Sequence, residues 1–167
     1  RNVGLAATPS GRLWAFWSAN DRIYARRSST SLASWGAVTS IPVRGGTTAI
    51  FKLAGNAQDT ELDVLAAFAG SASGVQTWHS QIRPGLTLTA APAALRAAST
   101  SSVTLKVTDA GQPISGATVR FGTHSATTSR SGTVRFTVGP FPRPMQISAT
   151  ASKTGYVDAR TSVHVTR

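Results

Sequence analysis

The stretch Leu13–Trp35, LWAFWSANDRIYARRSSTSLASW, decides the fold. Leu13 to Ser18 is an apolar run rich in aromatics. Leu13, Ala15 and Trp17 fall on one face and Trp14 and Phe16 on the other, which predicts a strand buried on both sides. Asn20-Asp21 is turn chemistry, because both side chains tolerate left-handed backbone and bond their own main chain. Arg22 to Ser28 is a second strand, and Ser28 to Trp35 closes the unit as a corner.

Working outward, Val3 to Ala7 reads as a strand, Thr8–Gly11 as a turn, and Gly36 to Ile41 as a further strand stopped by Pro42 and Gly45-Gly46. A degraded copy follows. Thr47 to Ala54 opens it, Gly55 to Glu61 reads as a polar loop, and Leu62 to Ala69 is a second apolar strand. Gly70–Gly74 is a turn before a strand at Val75 to Ile82. Leu13–Ser18 aligns with Val64–Ala69 at an offset of 51, and Ile23–Ser28 with Val75–Ser80 at an offset of 52. A strand-rich repeat of this length marks propeller blades, each a four-stranded sheet.

The corner Ser28-Ser29-Thr30-Ser31-Leu32-Ala33-Ser34-Trp35 resembles the Asp-box of sialidase-like propellers, whose pattern is Ser, any, Asp, any, Gly, any, Thr, Trp. Ser28, Ser34 (for Thr) and Trp35 fit, while Thr30 replaces the Asp and Leu32 the Gly. The resemblance implies a structural hairpin between a blade's third and fourth strands. The second unit shows three clear strands, and its fourth is missing or very short around Leu86. Two blades do not close a ring, and open edges leave backbone unpaired. The expectation is therefore the C-terminal part of a larger propeller, partnered by a larger chain that carries the remaining blades. A small self-contained β-sandwich over residues 1–86 is the alternative. The start at Arg1-Asn2 reads as a mature or cleaved fragment.

Arg83-Pro84-Gly85 reads as a boundary, beyond which no Trp occurs. Strict alternation follows in Val103-Leu105-Val107, Val119-Phe121 and Val134-Phe136-Val138, with turns at Asp109–Pro113 and Ser129–Gly132. Six or seven short alternating strands predict a two-sheet sandwich over residues 87–167. Gly111–Val119, Ser131–Phe136 and Ala151–Tyr156 make this half resemble bacterial Ig-like modules of the invasin kind and, more loosely, carboxypeptidase-regulatory-like modules. That resemblance implies a spacer, stalk or adhesive role without catalysis. The fold class expected for the chain is thus all-β, β-propeller blades plus an Ig-like β-sandwich.

A hydrophobic content of 41% over 167 residues supports packed cores rather than disorder. No apolar run approaches the roughly 18 residues of a membrane span. Cysteine is absent, so disulfides and thiolate metal sites are excluded. The net charge of +11 is spread: residues 1–86 carry eight bases and four acids, residues 87–167 nine and two. No basic stripe or recognition element for nucleic acid is present. Such charge reads as a solvated basic surface, with attraction to an anionic envelope or polysaccharide as the other use.

Only Asp59, Glu61 and Asp63 cluster, on one loop entering a strand, which falls short of the paired carboxylates of a glycoside hydrolase. His79, His124 and His164 lack metal-ligand spacing. No nucleophile elbow or phosphate loop occurs. No catalytic residue, cofactor or metal is expected. The ligand candidates are aromatic or cationic: Tyr24 and Trp78 first, at near-equivalent strand positions, then Arg26, Trp14 and Trp17. Flat rings suit sugars, and core packing is the competing role. The expected function is a non-catalytic secreted or cell-surface bacterial protein, its propeller part recognising carbohydrate or protein and its Ig-like part a spacer. The alternatives are an accessory part of a secreted glycoside hydrolase and a structural assembly subunit.

Overall fold

The computed structural model describes residues 2–43, 50–69 and 74–167. Among them all regular structure is β-strand, in two compact units, Arg1–Gly85 and Leu86–Arg167. The expected Gly45-Gly46 stop and most of the Gly70–Gly74 turn lie outside the described residues.

In the first unit, β1 (Val3–Ala7), β2 (Leu13–Ala19), β3 (Arg22–Arg27) and β4 (Thr39–Pro42) form an antiparallel meander. Asn20 and Asp21 take φ of 47° and 57°, the left-handed pair that a two-residue hairpin needs. The corner is a tight hairpin. Ser28 bridges Trp35, Ser29 N–H donates to Ser34 O at 2.8 Å, and Leu32 sits at φ 60°. The last strand starts at Thr39 rather than at Gly36. Ala37, ahead of it, bridges Gly85 instead, and Thr39 Oγ1 at its start donates to Arg83 O at 2.9 Å.

The second sheet is β5 (Ile50–Ala57), β6 (Leu62–Ala69) and β7 (Val75–Ile82). Gly55–Ala57, read from sequence as loop, belong to β5 and pair with Val64–Leu62. No fourth strand forms at Leu86, whose side chain is buried in the second unit's core. The hairpin registers repeat. Trp17 pairs with Tyr24 and Ala15 with Arg26; at the aligned positions Phe68 pairs with Gln76 and Ala66 with Trp78.

The two sheets share one core. Trp14, Phe16, Ile23 and Ala25 come from the first sheet, and Ala57, Leu62, Val64, Ala66 and Ile82 from the second. The Phe16 ring is the contact point. A Cβ at Gly4 would collide with it, and one at Gly55 would lie 2.7 Å from its Cζ. Two glycines on facing sheets therefore let the backbones close onto one ring. This arrangement corrects the expectation of a β2 buried on both sides. Trp14, Phe16 and Ser18 are buried, whereas Leu13, Ala15 and Trp17 are only half-buried, because the second sheet covers a single face.

In the second unit β10 (Ser101–Asp109) is flanked by β8 (Thr87–Ala91) on one side and by β11 (Gln112–Pro113) and β14 (Thr133–Val138) on the other. The opposing sheet runs β13 (His124–Thr127), β12 (Thr118–Phe121), β15 (Met145–Ser152), β16 (Ala159–Thr166) and β9 (Ala94–Arg96), the last pair parallel. This makes nine strands where six or seven were expected. Their alternating residues, among them Leu105, Val119, Phe121, Ala149 and Val163, fill one core between the sheets.

Gly55→Ala should overpack Phe16 and lower the first unit's stability by about 1–3 kcal/mol. All four tryptophans lie within residues 1–85, so tryptophan fluorescence in urea reports that unit alone. With Phe16→Leu in the same chain the two effects should be less than additive. An unchanged midpoint for Gly55→Ala would show that the ring does not set the sheet spacing.

Candidate functional site

Strand alternation sends the sequence-derived candidates to different places. On β2 and β3, Trp17, Tyr24 and Arg26 project from the face opposite the shared core, together with Val3 and Leu5 of β1, which are 71% and 68% exposed. Trp17 and Tyr24, directly paired across the strands, stack with ring centroids 5.8 Å apart and planes within 10°. The Arg26 guanidinium sits 5.3 Å from the Trp35 ring centroid. Arg22, on the same face, donates through Nε and Nη2 to Ser40 Oγ at 3.1 and 2.9 Å. The result is an apolar and aromatic sheet face bordered by two guanidinium groups.

Trp14 is elsewhere: fully buried in the shared core, with the buried Arg27 guanidinium 5.9 Å from its ring. Its indole Nε1 meets no acceptor among the described residues. Trp78 is half-buried on β7 and packs against that core from the second sheet. With Ile41, Pro42, His79 and Ser80 it lines an open depression of about 470 Å³. Tyr24, Trp17 and Arg26 thus form one surface, and Trp14 and Trp78 are not part of it.

The acids do not converge. Gln81 Nε2 donates to both Glu61 Oε1 and Asp63 Oδ1 at 3.1 Å, and His79 Nε2 lies 3.3 Å from Asp63 Oδ1. Asp59 turns the other way, accepting from Ser10 N–H at 3.1 Å, while its backbone oxygen accepts from Arg27 Nη1. These bonds tie the loop between β5 and β6 to the β1–β2 turn and to the end of β3. Among the described residues no three His, Asp or Glu side chains are grouped to hold a metal ion, and no helix is long and apolar enough to cross a membrane.

Sequence reasoning missed Val3, Leu5 and Leu13 as members of the exposed face. The signal was present in the alternation of β1, which sets Val3 opposite Trp17 and Leu5 opposite Ala15. It became readable only once one face of β2 was known to be covered.

Hydrogen bonds from the Ser10 hydroxyl and amide hold the Asp59 carboxyl below its ordinary range, with Thr8 and the Arg27 charge acting in the same direction. A carboxyl depressed by folding stabilises the fold above its unfolded value, and that contribution is lost as pH falls through the folded value. Ser10→Ala should therefore raise the Asp59 titration midpoint in a carboxyl NMR titration. The pH-dependent part of the stability gap to wild type should be largest near neutrality and vanish in acid, below the carboxylate range. Identical Asp59 titrations in the two chains would contradict this link.

No protein-family model and no curated protein matches the chain.

Proposed function

We propose that the chain is a non-catalytic binding and scaffold protein of a secreted or cell-surface bacterial assembly. In this reading residues 1–85 are two adjoining sialidase-like propeller blades, the Ser28–Trp35 corner is a degenerate Asp-box, and residues 86–167 are an Ig-like spacer. The partner is polypeptide carrying further blades, and the first sheet's exposed face seats against it.

The observation that carries this reading is direction. Leu13 and Ala15 align with Val64 and Ala66, and the latter two are fully buried where the second sheet meets the first. Trp14 aligns with Leu65; the first is buried between the sheets, the second 48% exposed on the far side. Aligned positions thus point the same way along a stack. This supports successive blades over two sheets closed face to face into a sandwich. The exposed face of Val3, Leu5, Leu13, Ala15, Trp17 and Tyr24 then corresponds to the face that the second sheet buries. A contiguous apolar surface of this kind marks an interaction site.

Two features support the corner and the spacer. Leu32 adopts positive φ where the Asp-box pattern has Gly, and Ser28 pairs with Trp35 across the corner. The order β13-β12-β15-β16 facing β14-β10-β8 matches the two-sheet arrangement of Ig-like domains. Carbohydrate recognition is the second reading, favoured by the flat Trp17–Tyr24 stack beside Arg26.

Light scattering tests the face. The wild-type chain should rise above 17.3 kDa as concentration increases and bind an apolar dye. Leu5→Lys with Trp17→Lys should stay at 17.3 kDa and keep a cooperative first-unit melt, lowered only by the loss of the Trp17–Tyr24 stack. A wild-type chain that remains monomeric at millimolar concentration and binds no dye would overturn the proposal.

A further inference from the structure

Among the described residues the first sheet has four strands and the second has three, although the hairpins β2–β3 and β6–β7 share one register. In the first sheet β4 covers the outer edge of β3, with Ile41 opposite Ile23, Ser40 opposite Tyr24 and Thr39 opposite Ala25. The aligned residues of β7 are Val75, Gln76 and Thr77. Among the described residues β7 pairs only with β6, and Val75, Gln76 and Thr77 are all exposed, Val75 at 66%. The chain's own continuation does not fill this edge. Residues 83–85 are bound instead to the segment leading into β4, through the Gly85–Ala37 bridge and the Thr39 bond to Arg83. Gly85 makes that contact possible, since a Cβ there would lie 2.9 Å from Thr39 Cγ2 and 3.0 Å from Ala37 Cβ.

An open strand edge is a row of unpaired N–H and C=O groups, and proteins usually blunt such edges with Lys, Pro or bulges. β7 reads VQTWHSQI, with neither Lys, Arg nor Pro, and its pairing with β6 is continuous from Leu62↔Ile82 to Ala69↔Val75. The open depression lined by Ile41 and Pro42 of β4 and by Trp78, His79 and Ser80 of β7 leaves room along this strand.

We infer that β7 is a strand-addition site. An extended segment of another polypeptide pairs antiparallel with Val75–Trp78 and completes the second sheet, as β4 completes the first. Main-chain hydrogen bonds supply the binding, and alternate side chains supply the selectivity. By the register of β4, the residue opposite Val75 is apolar, as Ile41 is, and the residues opposite Gln76 and Thr77 are small and hydroxylated, as Ser40 and Thr39 are. This edge is distinct from the first sheet's exposed face, so the two sites can be separated by experiment.

The probe is a capped peptide with the sequence of residues 36–43, GAVTSIPV. The host is the full chain carrying Leu5→Lys and Trp17→Lys, so that stacking on the first sheet does not contribute. Hydrogen exchange is followed residue by residue by NMR. At a peptide concentration about ten times its Kd, exchange at the outward-pointing amides of Val75–Trp78 should slow about ten-fold. The same peptide with Ile41→Pro, which removes an N–H that the register of β4 turns toward its partner strand and so breaks the ladder, should protect nothing. Protection confined to β1–β4, or no protection at any concentration up to the peptide's solubility, would overturn the proposal. Protection of β7 by rising chain concentration without peptide would overturn the assigned occupant, because a second copy would then be the partner strand.

Discussion

The Phe16 ring, held between Gly4 of its own sheet and Gly55 of the next, sets how the two sheets of the first unit meet. Because neither glycine carries a Cβ, the backbones approach closely enough for Trp14, Ile23 and Ala25 to bury Leu62, Val64 and Ala66. Ties at the rim then hold the stacking: Arg27 onto the Asp59 carbonyl, Ser10 onto the Asp59 carboxylate, Asn2 onto the Ile50 carbonyl at 2.7 Å. Close packing of this kind is intolerant of added volume. It also has a direction, since Trp14 of the first sheet points toward the second whereas Leu65, its aligned counterpart, is exposed on the far side of the second.

That direction links fold to function. A pair of sheets closed on itself would present two solvated outer faces. Here the outer face of the first sheet carries Val3, Leu5, Leu13, Trp17 and Tyr24, and the outer face of the second carries Asp63, His79 and Gln81 around Leu65. The first looks like the face its neighbour buries, and the second is threaded by polar contacts. The acidic side chains Asp59, Glu61 and Asp63 are engaged with Ser10, Gln81 and His79 rather than gathered at a cleft. The second unit has a continuous alternating core of its own.

Much of this was legible in the residues. Asn20-Asp21 announced the hairpin, and both take the left-handed backbone that their side chains allow. The offsets of 51 and 52 announced the repeat, and the paired registers agree with them residue for residue. What was not legible depended on non-local contacts. Leu13, Ala15 and Trp17 are as apolar as Trp14 and Phe16, so periodicity alone assigned both faces to the interior. Gly55 and Asn56 are weak strand formers and read as loop; the Phe16 ring and the partners Val64 and Asp63 hold them in β5. The late start of β4 depends on Gly85, some forty-five residues further on, which no local pattern reveals. Among the candidate residues the sequence paired Tyr24 with Trp78; the structure groups Tyr24 with Trp17 and Arg26 instead, and packs Trp78 and Trp14 toward the shared core.

The claim at the centre is that the exposed face of the first sheet is a covered face in the working assembly. Hydroxyl-radical footprinting measures this directly, comparing the isolated chain at a dilution where it is monomeric with the protein in its native assembly. The account predicts that Leu5, Trp17 and Tyr24 react readily in the isolated chain and are protected in the assembly, while Trp14 is protected in both. Equal reactivity of Leu5, Trp17 and Tyr24 in the two states would contradict it, and the first unit would then stand as a self-contained pair of sheets.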